Sequence, residues 1–185
     1  MSLLQVMKDE ITTIAPAGFY VALRVGFSFP EEELNHLPES WVEYYTAQGL
    51  VVHDPAMKWV YGNVGSARMS DLSEPDPRRI RAHAAVFGMS HCAAVSIMGK
   101  EDKGRRSYGL FYRDDRDFGP DDLERLERIM RRLHSGPEEE RGLTEAEREA
   151  LRMQAQGMRL KQVATELGIS ESAVKARLNN AKKKL

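Results

Sequence analysis

The 185-residue chain is poor in several features, and each shortage removes a class of explanation. It holds one cysteine, Cys92, which excludes an internal disulfide and any cysteine-rich zinc site. No apolar run approaches the roughly 18 residues that would read as a membrane-spanning helix. Lys8, Asp9 and Glu10 interrupt the start where a signal peptide needs an unbroken apolar stretch, so a cytoplasmic location is expected. Catalytic signatures are missing too. His36, His53, His83, His91 and His134 are scattered, and no H-E-x-x-H, serine-elbow or P-loop pattern surrounds them. The expectation is a protein that is not an enzyme and carries neither metal nor cofactor. What is present is 42% hydrophobic and 30% charged residues, a soluble globular composition with material for a core.

The charge is unevenly spread. Residues 141–185 hold ten Lys and Arg against five acids, a net +5, which leaves −6 for the remainder of a chain whose total is −1. A basic end on an acidic body suits a nucleic-acid reader attached to a part that does not touch nucleic acid. Between the two lies His134-Ser-Gly-Pro-Glu-Glu-Glu-Arg-Gly142, with two glycines, a proline and an acidic run. That composition predicts a linker over 134–142, separating a domain at 1–133 from one at 143–185.

Within 1–133 the pattern is mixed. A helix is expected over 3–14 and a strand over the β-branched and aromatic stretch 18–25. A helix should follow Pro38 with Ser40 as its cap, carrying Trp41, Tyr44, Tyr45 and Leu50. Another should run from Pro77 to Phe87 and stop at Gly88. Strands at 93–98 and 107–112 flank a charged turn at 99–104 and predict a hairpin. Finally Leu123, Leu126, Ile129, Met130 and Leu133 recur every three or four residues in a helix opened by Gly119-Pro-Asp-Asp. The fold class implied is α+β: an α/β/α amino-terminal domain with an antiparallel sheet covered by helices, plus a small all-α domain.

That small domain is the most legible part. Thr144 and Glu147 have capping-box spacing, and the helix they start should bury Ala150, Leu151 and Ala155 before Gly157 ends it. A second helix near 160–167 turns Val163, Ala164 and Leu167 inward and ends at Gly168. Ser170 then caps a third helix, on which Val174, Leu178, Ala181 and Leu185 are spaced four, three and four apart. Helix, short glycine turn, helix is the helix-turn-helix arrangement. Opposite the apolar stripe lie Ser172, Lys175, Ala176, Asn179 and Lys182, so the third helix can enter the major groove of double-stranded DNA. Lys175 suits guanine, Asn179 adenine and Ala176 a thymine methyl. Ser172, Arg177, Lys182 and Lys183 suit phosphates.

These residues resemble the reader domain of the LuxR family: Leu143-Thr-x-x-Glu147-x-x-x-Leu151, Gly157, Val163-Ala164, Leu167-Gly168-Ile169-Ser170 and Ala173-Val174-Lys175. The resemblance implies that Glu147, Leu151 and Gly157 are structural positions. Family members continue into a fourth helix that pairs two readers, whereas this sequence stops at Leu185, so pairing is expected through the amino-terminal domain or from a tail that was removed. Residues 174–181 also resemble region 4 of sigma factors, a rival reading that would require a basic, helical region upstream.

Upstream, Trp41 and Tyr45 stand four apart and Asp54-Pro55 follows nine after Tyr45. This is similar to the W-x3-Y-x8-D-P pattern of the acyl-homoserine-lactone-binding domain of LuxR regulators, and residues 81–88 before the hairpin are similar as well. The resemblance implies that the Trp41 indole donates to a lactone carbonyl, Tyr45 meets the amide carbonyl and Asp54 accepts from the amide N–H. Two positions depart from the pattern: Met69 stands where the family has a second Trp, and Cys92 where it has Gly. The ligand-binding set is therefore Trp41, Tyr45, Asp54, Met69 and Cys92. The resulting expectation is a homodimeric, DNA-binding transcription regulator, responsive to an acyl-homoserine lactone or another small amphipathic molecule. Its alternatives are a ligand-independent regulator or an anti-activator acting by heterodimerisation.

Overall fold

The computed structural model describes residues 2–26, 29–99, 104–140 and 143–184, with backbone alone at 137–140. It divides into two units, Met1–His134 and Ser135–Leu185. The charged turn expected at 99–104 falls mostly outside the described residues, as do Arg141, Gly142 and Leu185.

The first unit is built on a five-stranded, wholly antiparallel sheet in the order β2-β1-β5-β4-β3. Its strands are β1 (Gly18–Val25), β2 (Glu32–Asn35), β3 (Gly65–Arg68), β4 (His91–Met98) and β5 (Arg106–Arg113). Side chains alternate across a strand, and here both faces are covered. One face carries Phe19, Val21, Leu23, Ala93, Val95, Ile97 and Phe111. Against it pack α1 (Leu3–Ile14), through Leu4, Met7, Ile11 and Ile14, and α5 (Pro120–Glu140), through Leu126, Ile129, Met130 and Leu133. The other face carries Ala22, Ala94, Tyr108, Leu110 and Tyr112 beneath α2 (Glu39–Ala47), α3 (Pro55–Gly62) and α4 (Ile80–Val86). This is the expected α/β/α arrangement.

Local departures have local causes. Ser40 does not cap α2; Pro38 occupies that position, and its carbonyl accepts from the Trp41 and Val42 amides. The helix ends at Ala47, so Leu50 lies in a 3-10 turn over Leu50–Val52, entered through Gly49 at φ 58°. Helix α4 starts at Ile80 rather than Pro77 because the Asp76 carboxylate accepts from the Ile80 and Arg81 amides at 2.8 and 3.0 Å. Helix α3 is unanticipated: Asp54-Pro55 reads as a turn, but Asp at the cap with Pro at the first helical position is also a helix start.

The carboxy end of α5 is fastened to the sheet. Arg24, at φ 51° beside a register shift in β1, donates to the Leu133 and His134 carbonyls at 2.8 and 3.4 Å. Ser107 hydrogen-bonds the buried His134 ring at 2.7 Å. His134, placed in the expected linker, thus belongs to the first unit, and the backbone leaves helical geometry only at Gly136 (φ 71°, ψ 175°).

The second unit is three helices, α6 (Glu145–Ala155), α7 (Leu160–Leu167) and α8 (Glu171–Lys184). The Thr144–Glu147 capping box is formed, and Gly157 and Gly168 adopt φ of 84° and 63°. Ala150, Val163, Ala164, Val174 and Leu178 make the core. Ala155 is exposed, contrary to expectation. Five residues past Ala150, it stands about 140° round the helix from the buried face.

Packing of the first core sets a test. A Cβ on Gly109 would lie 2.5 Å from the Phe111 ring and 3.4 Å from the Met130 sulfur, with the Phe111 ring buried. Replacing glycine in a strand normally stabilises. Here Gly109→Ala should instead lower stability by about 1–3 kcal/mol through overpacking. Urea unfolding of the full chain, followed by fluorescence, reads the sign.

Candidate functional site

Helix α2 presents Trp41 and Tyr45 one turn apart toward the sheet, with ring centroids 5.4 Å from each other. Trp41 is buried and packs edge-on against Phe87, which follows α4, at 5.4 Å. Tyr44 ties the same two helices together through a 2.8 Å hydrogen bond with the His83 ring. Asp54 is 3% exposed, and its two oxygens have separate tasks. Oδ1 accepts from the Ala56 amide at 2.8 Å and so caps α3, while Oδ2 accepts from the Tyr45 hydroxyl at 2.8 Å. Burial raises the Asp54 carboxyl above its ordinary range, opposed by the Tyr45 hydroxyl and the Ala56 and Met57 amides. Burial, then the adjoining carboxylate, pushes the Tyr45 hydroxyl far upward, so it remains a donor.

Two cavities open beside this pair. The larger, about 370 Å³, lies among Met69, Ile80, Ala84, Met89 and Cys92, with Ser70, Arg81, Ser90, His91 and Asp117 supplying polar groups. The smaller, about 200 Å³, is lined by Trp41, Tyr45, Leu37, Val51, Met57, Tyr108 and Leu110. Asp54 and Tyr112 line both. The sequence-predicted set is therefore divided: Trp41 and Tyr45 face one cavity, Met69 and Cys92 the other, and Asp54 stands between. Burial pushes the Cys92 thiol well above its ordinary value, so it is a neutral wall residue. The Trp41 indole N–H donates to no protein acceptor among the described residues, although it lines a cavity. Sequence reasoning missed Tyr108 and Tyr112, because a strand buried on both faces does not announce which face borders a cavity.

On the second unit, Ser172, Lys175, Ala176, Asn179 and Lys182 are exposed along α8, while Val174, Leu178 and Ala181 are buried. Arg177 is half-buried, and at about 100° per residue it falls on the flank away from Lys175 and Lys182. Lys184 donates to both Glu147 oxygens, at 2.8 and 3.1 Å, and locks the end of α8 to the start of α6. Lys184 first, then the Thr144 amide, holds the Glu147 carboxyl below its ordinary value.

A sheet with a pocketed helical face, followed by three helices carrying a basic exposed surface, defines a cavity-bearing α/β/α domain joined to a helix-turn-helix unit. Comparison with known proteins agrees. Residues 31–135 match the family model described as the autoinducer binding domain, and residues 141–185 match sigma-70, region 4. No curated protein sequence matches. Among solved structures, Escherichia coli SdiA aligns with 100% of this chain and 85% of its own at 22% identity and a TM-score of 0.54. SdiA in complex with octanoyl-rac-glycerol gives 22% identity, 100% and 83% coverage and a TM-score of 0.53. CepR2 from Burkholderia cenocepacia, an N-acylhomoserine lactone dependent LuxR family transcription factor, aligns with 70% of this chain and 80% of its own, at 22% identity and a TM-score of 0.51.

The chain belongs to the autoinducer-binding domain family, in the LuxR-type architecture of a transcription regulator rather than an enzyme. The sigma-like resemblance is confined to the reader, since the region before it is an autoinducer-binding domain and not a basic helical one.

Two tests follow from this geometry. Asp54→Ala should lower the stability of the ligand-free protein by about 0.5–2 kcal/mol through the lost cap, and Tyr45→Phe by about 1–3 kcal/mol through the carboxylate oxygen left without its donor; an unchanged Tyr45→Phe would mean that the hydroxyl is not what satisfies Oδ2. In the reader, a carboxylate with a lowered folded-state pKa contributes stability above its unfolded value, taken as 4.5 here, and loses it as pH falls through the folded value. Thermal unfolding of wild type should therefore weaken more steeply below about pH 4.5 than that of Glu147→Gln. Parallel curves would remove the Glu147–Lys184 pair from the account.

Proposed function

We propose that the first unit binds a small amphipathic ligand at Asp54 and that the protein, as a homodimer, reads a pseudo-palindromic duplex through two copies of α8. The observation that carries this is the part-buried Tyr45–Asp54 hydrogen bond between two cavities, beside the Trp41 indole, whose N–H donates to no protein acceptor among the described residues. A ligand amide matches it. Its N–H can replace the Tyr45 hydroxyl on Asp54, and its carbonyl can receive the hydroxyl so released, which leaves no buried polar group unpaired. Trp41 remains to donate to a second carbonyl, such as that of a lactone. The two structural neighbours support the class, one being complexed with octanoyl-rac-glycerol and the other N-acylhomoserine lactone dependent.

On DNA, Lys175, Asn179 and Ala176 read base edges, while Ser172, Lys182 and, from the other flank, Arg177 meet phosphate. Half-sites should lie about one helical turn apart, as two-fold symmetry requires. Extraction of ligand from purified protein, followed by mass spectrometry, should release an acylated small molecule. Titration with a lactone should then raise the midpoint of the first unit, by an amount that Tyr45→Phe reduces by about 1–3 kcal/mol. Gel-shift measurements should show Asn179→Ala losing about 1–3 kcal/mol with relaxed specificity, and Lys182→Ala weakening every sequence alike with a salt slope shallower by about 1. A protein that leaves DNA unshifted while suppressing a partner's shift would instead be the anti-activator.

A further inference from the structure

Strand β1 departs from regular pairing at one place, and that place aims a side chain. Ala22 lies opposite Tyr108 and Val25 opposite Arg106, so Leu23 and Arg24 together face the single residue Ser107. This is a β-bulge, a device that re-aims side chains. Strict alternation would send Leu23 to the face of α1 and α5, and Arg24 to the opposite face. Instead Leu23 and Arg24 both turn toward α5, and Val25 packs with Ala22 on the other side. The aim requires Arg24 to hold φ 51°, a conformation disfavoured for any residue with a Cβ.

What the strained residue reaches is the end of α5. Nη1 donates to the Leu133 and His134 carbonyls, just before the backbone leaves helical geometry at Gly136. Carbonyls at a helix end have no partner within their own helix, and the negative end of the helix dipole favours a cation there. Nε and Nη2 face Glu31 and Glu32 at 2.7 and 3.8 Å, so the guanidinium is neutralised where it binds. The Arg24 amide donates to Ser107 Oγ at 2.8 Å, the same atom that bonds the His134 ring. Two other helix ends are met by arginines: Arg113 donates to the Ile14 carbonyl of α1, and Arg106 to the Val60 carbonyl of α3. Both stand where the alternation along β5 sends them. Of the three, Arg24 alone holds a left-handed backbone, and α5 alone leads out of the first unit.

We propose that Arg24 is a positioning residue for DNA reading: it fixes the point at which the chain leaves the first unit, and so limits the half-site spacings that the two readers of a dimer accept. The proposal rests on the homodimeric DNA-binding reading given above and adds what sets the spacing. Linked modules gain avidity only while the chain between them lets both engage. With the clasp intact that chain begins at Ser135. Without it the last turn of α5, from Arg131 onward, joins the connection and adds about four residues of reach.

The test uses the full chain and duplexes that wild type selects from a random-sequence pool, resynthesised with the two half-sites two base pairs farther apart. That insertion turns one half-site by about 70° relative to the other. Wild type should lose about a hundredfold in affinity on it, the avidity of readers that no longer engage together. Arg24→Gly suits the left-handed backbone while removing the guanidinium. It should lose about tenfold or less on the stretched duplex, and bind the original one about two- to threefold more weakly. Amides of residues 130–134 should exchange with solvent about tenfold faster in Arg24→Gly, with those of β4 unchanged. Arg113→Met is the control: it should lower the thermal midpoint and leave the spacing penalty at the wild-type value. Ser107→Ala, which removes the partner of the His134 ring, should ease the penalty in the same direction, and it decides the matter if Arg24→Gly does not fold. Equal penalties in wild type and Arg24→Gly, or an eased penalty in Arg113→Met, would overturn the role of Arg24 alone. A pool that yields no paired half-sites, or no shifted duplex, would overturn the DNA-binding reading beneath it.

Discussion

The first unit depends on how the Asp54 carboxylate is divided. A carboxylate 3% exposed must have donors for its oxygens or it destabilises the fold. One oxygen is satisfied locally by the Ala56 amide, which starts α3, and that bond is intrinsic to the chain. The other is satisfied by Tyr45 from a different helix. The same side chain thus starts α3 with one oxygen and ties it to α2 with the other, between the two cavities. A position that caps a helix with one atom and accepts a hydroxyl with the other tolerates few substitutes. Asparagine could keep the cap, but its amide end would face the Tyr45 donor with a donor of its own.

What the sequence made legible follows from periodicity. Helix α1, strand β1, the β4–β5 hairpin and the helix after Gly119 announce themselves through apolar spacing, because each buries a stripe or a face. The short strands β2 and β3 do not. Glu-Glu-Leu-Asn and Gly-Ser-Ala-Arg carry no apolar alternation and become strands by pairing with β1 and β4. Asp54-Pro55 concealed a helix start behind a turn signal. Trp41, Tyr45 and Asp54 were legible as a spacing pattern, yet the pattern alone could not place Met69 and Cys92 across a wall from Trp41 and Tyr45. Tyr108 and Tyr112 were invisible as cavity residues because β5 is apolar on both sides.

The reader shows how a small unit holds together. Its core is five buried side chains, mostly small, with half-buried neighbours around them. The capping box adds directional bonds at the start of α6, and Glu147 also receives the last described residue of α8. One acidic residue thereby closes the ends of two helices, and it does so on the side that leaves Ser172, Lys175, Ala176 and Asn179 open to solvent. Lys184 is engaged in this closure, unlike Lys175 and Lys182 on the exposed face of α8.

The alternation along β5 has a geometrical consequence. Tyr108 borders the smaller cavity, and its immediate neighbour Ser107, pointing the other way, holds the His134 ring at the end of α5. Arg24, across the bulge, binds Ser107 through its amide and the α5 carbonyls through its guanidinium. Between the cavity and the last residue of the first unit there is one peptide plane. The sheet here is a partition a single residue thick, with a cavity on the Tyr108 side and the anchorage of α5 on the Ser107 side.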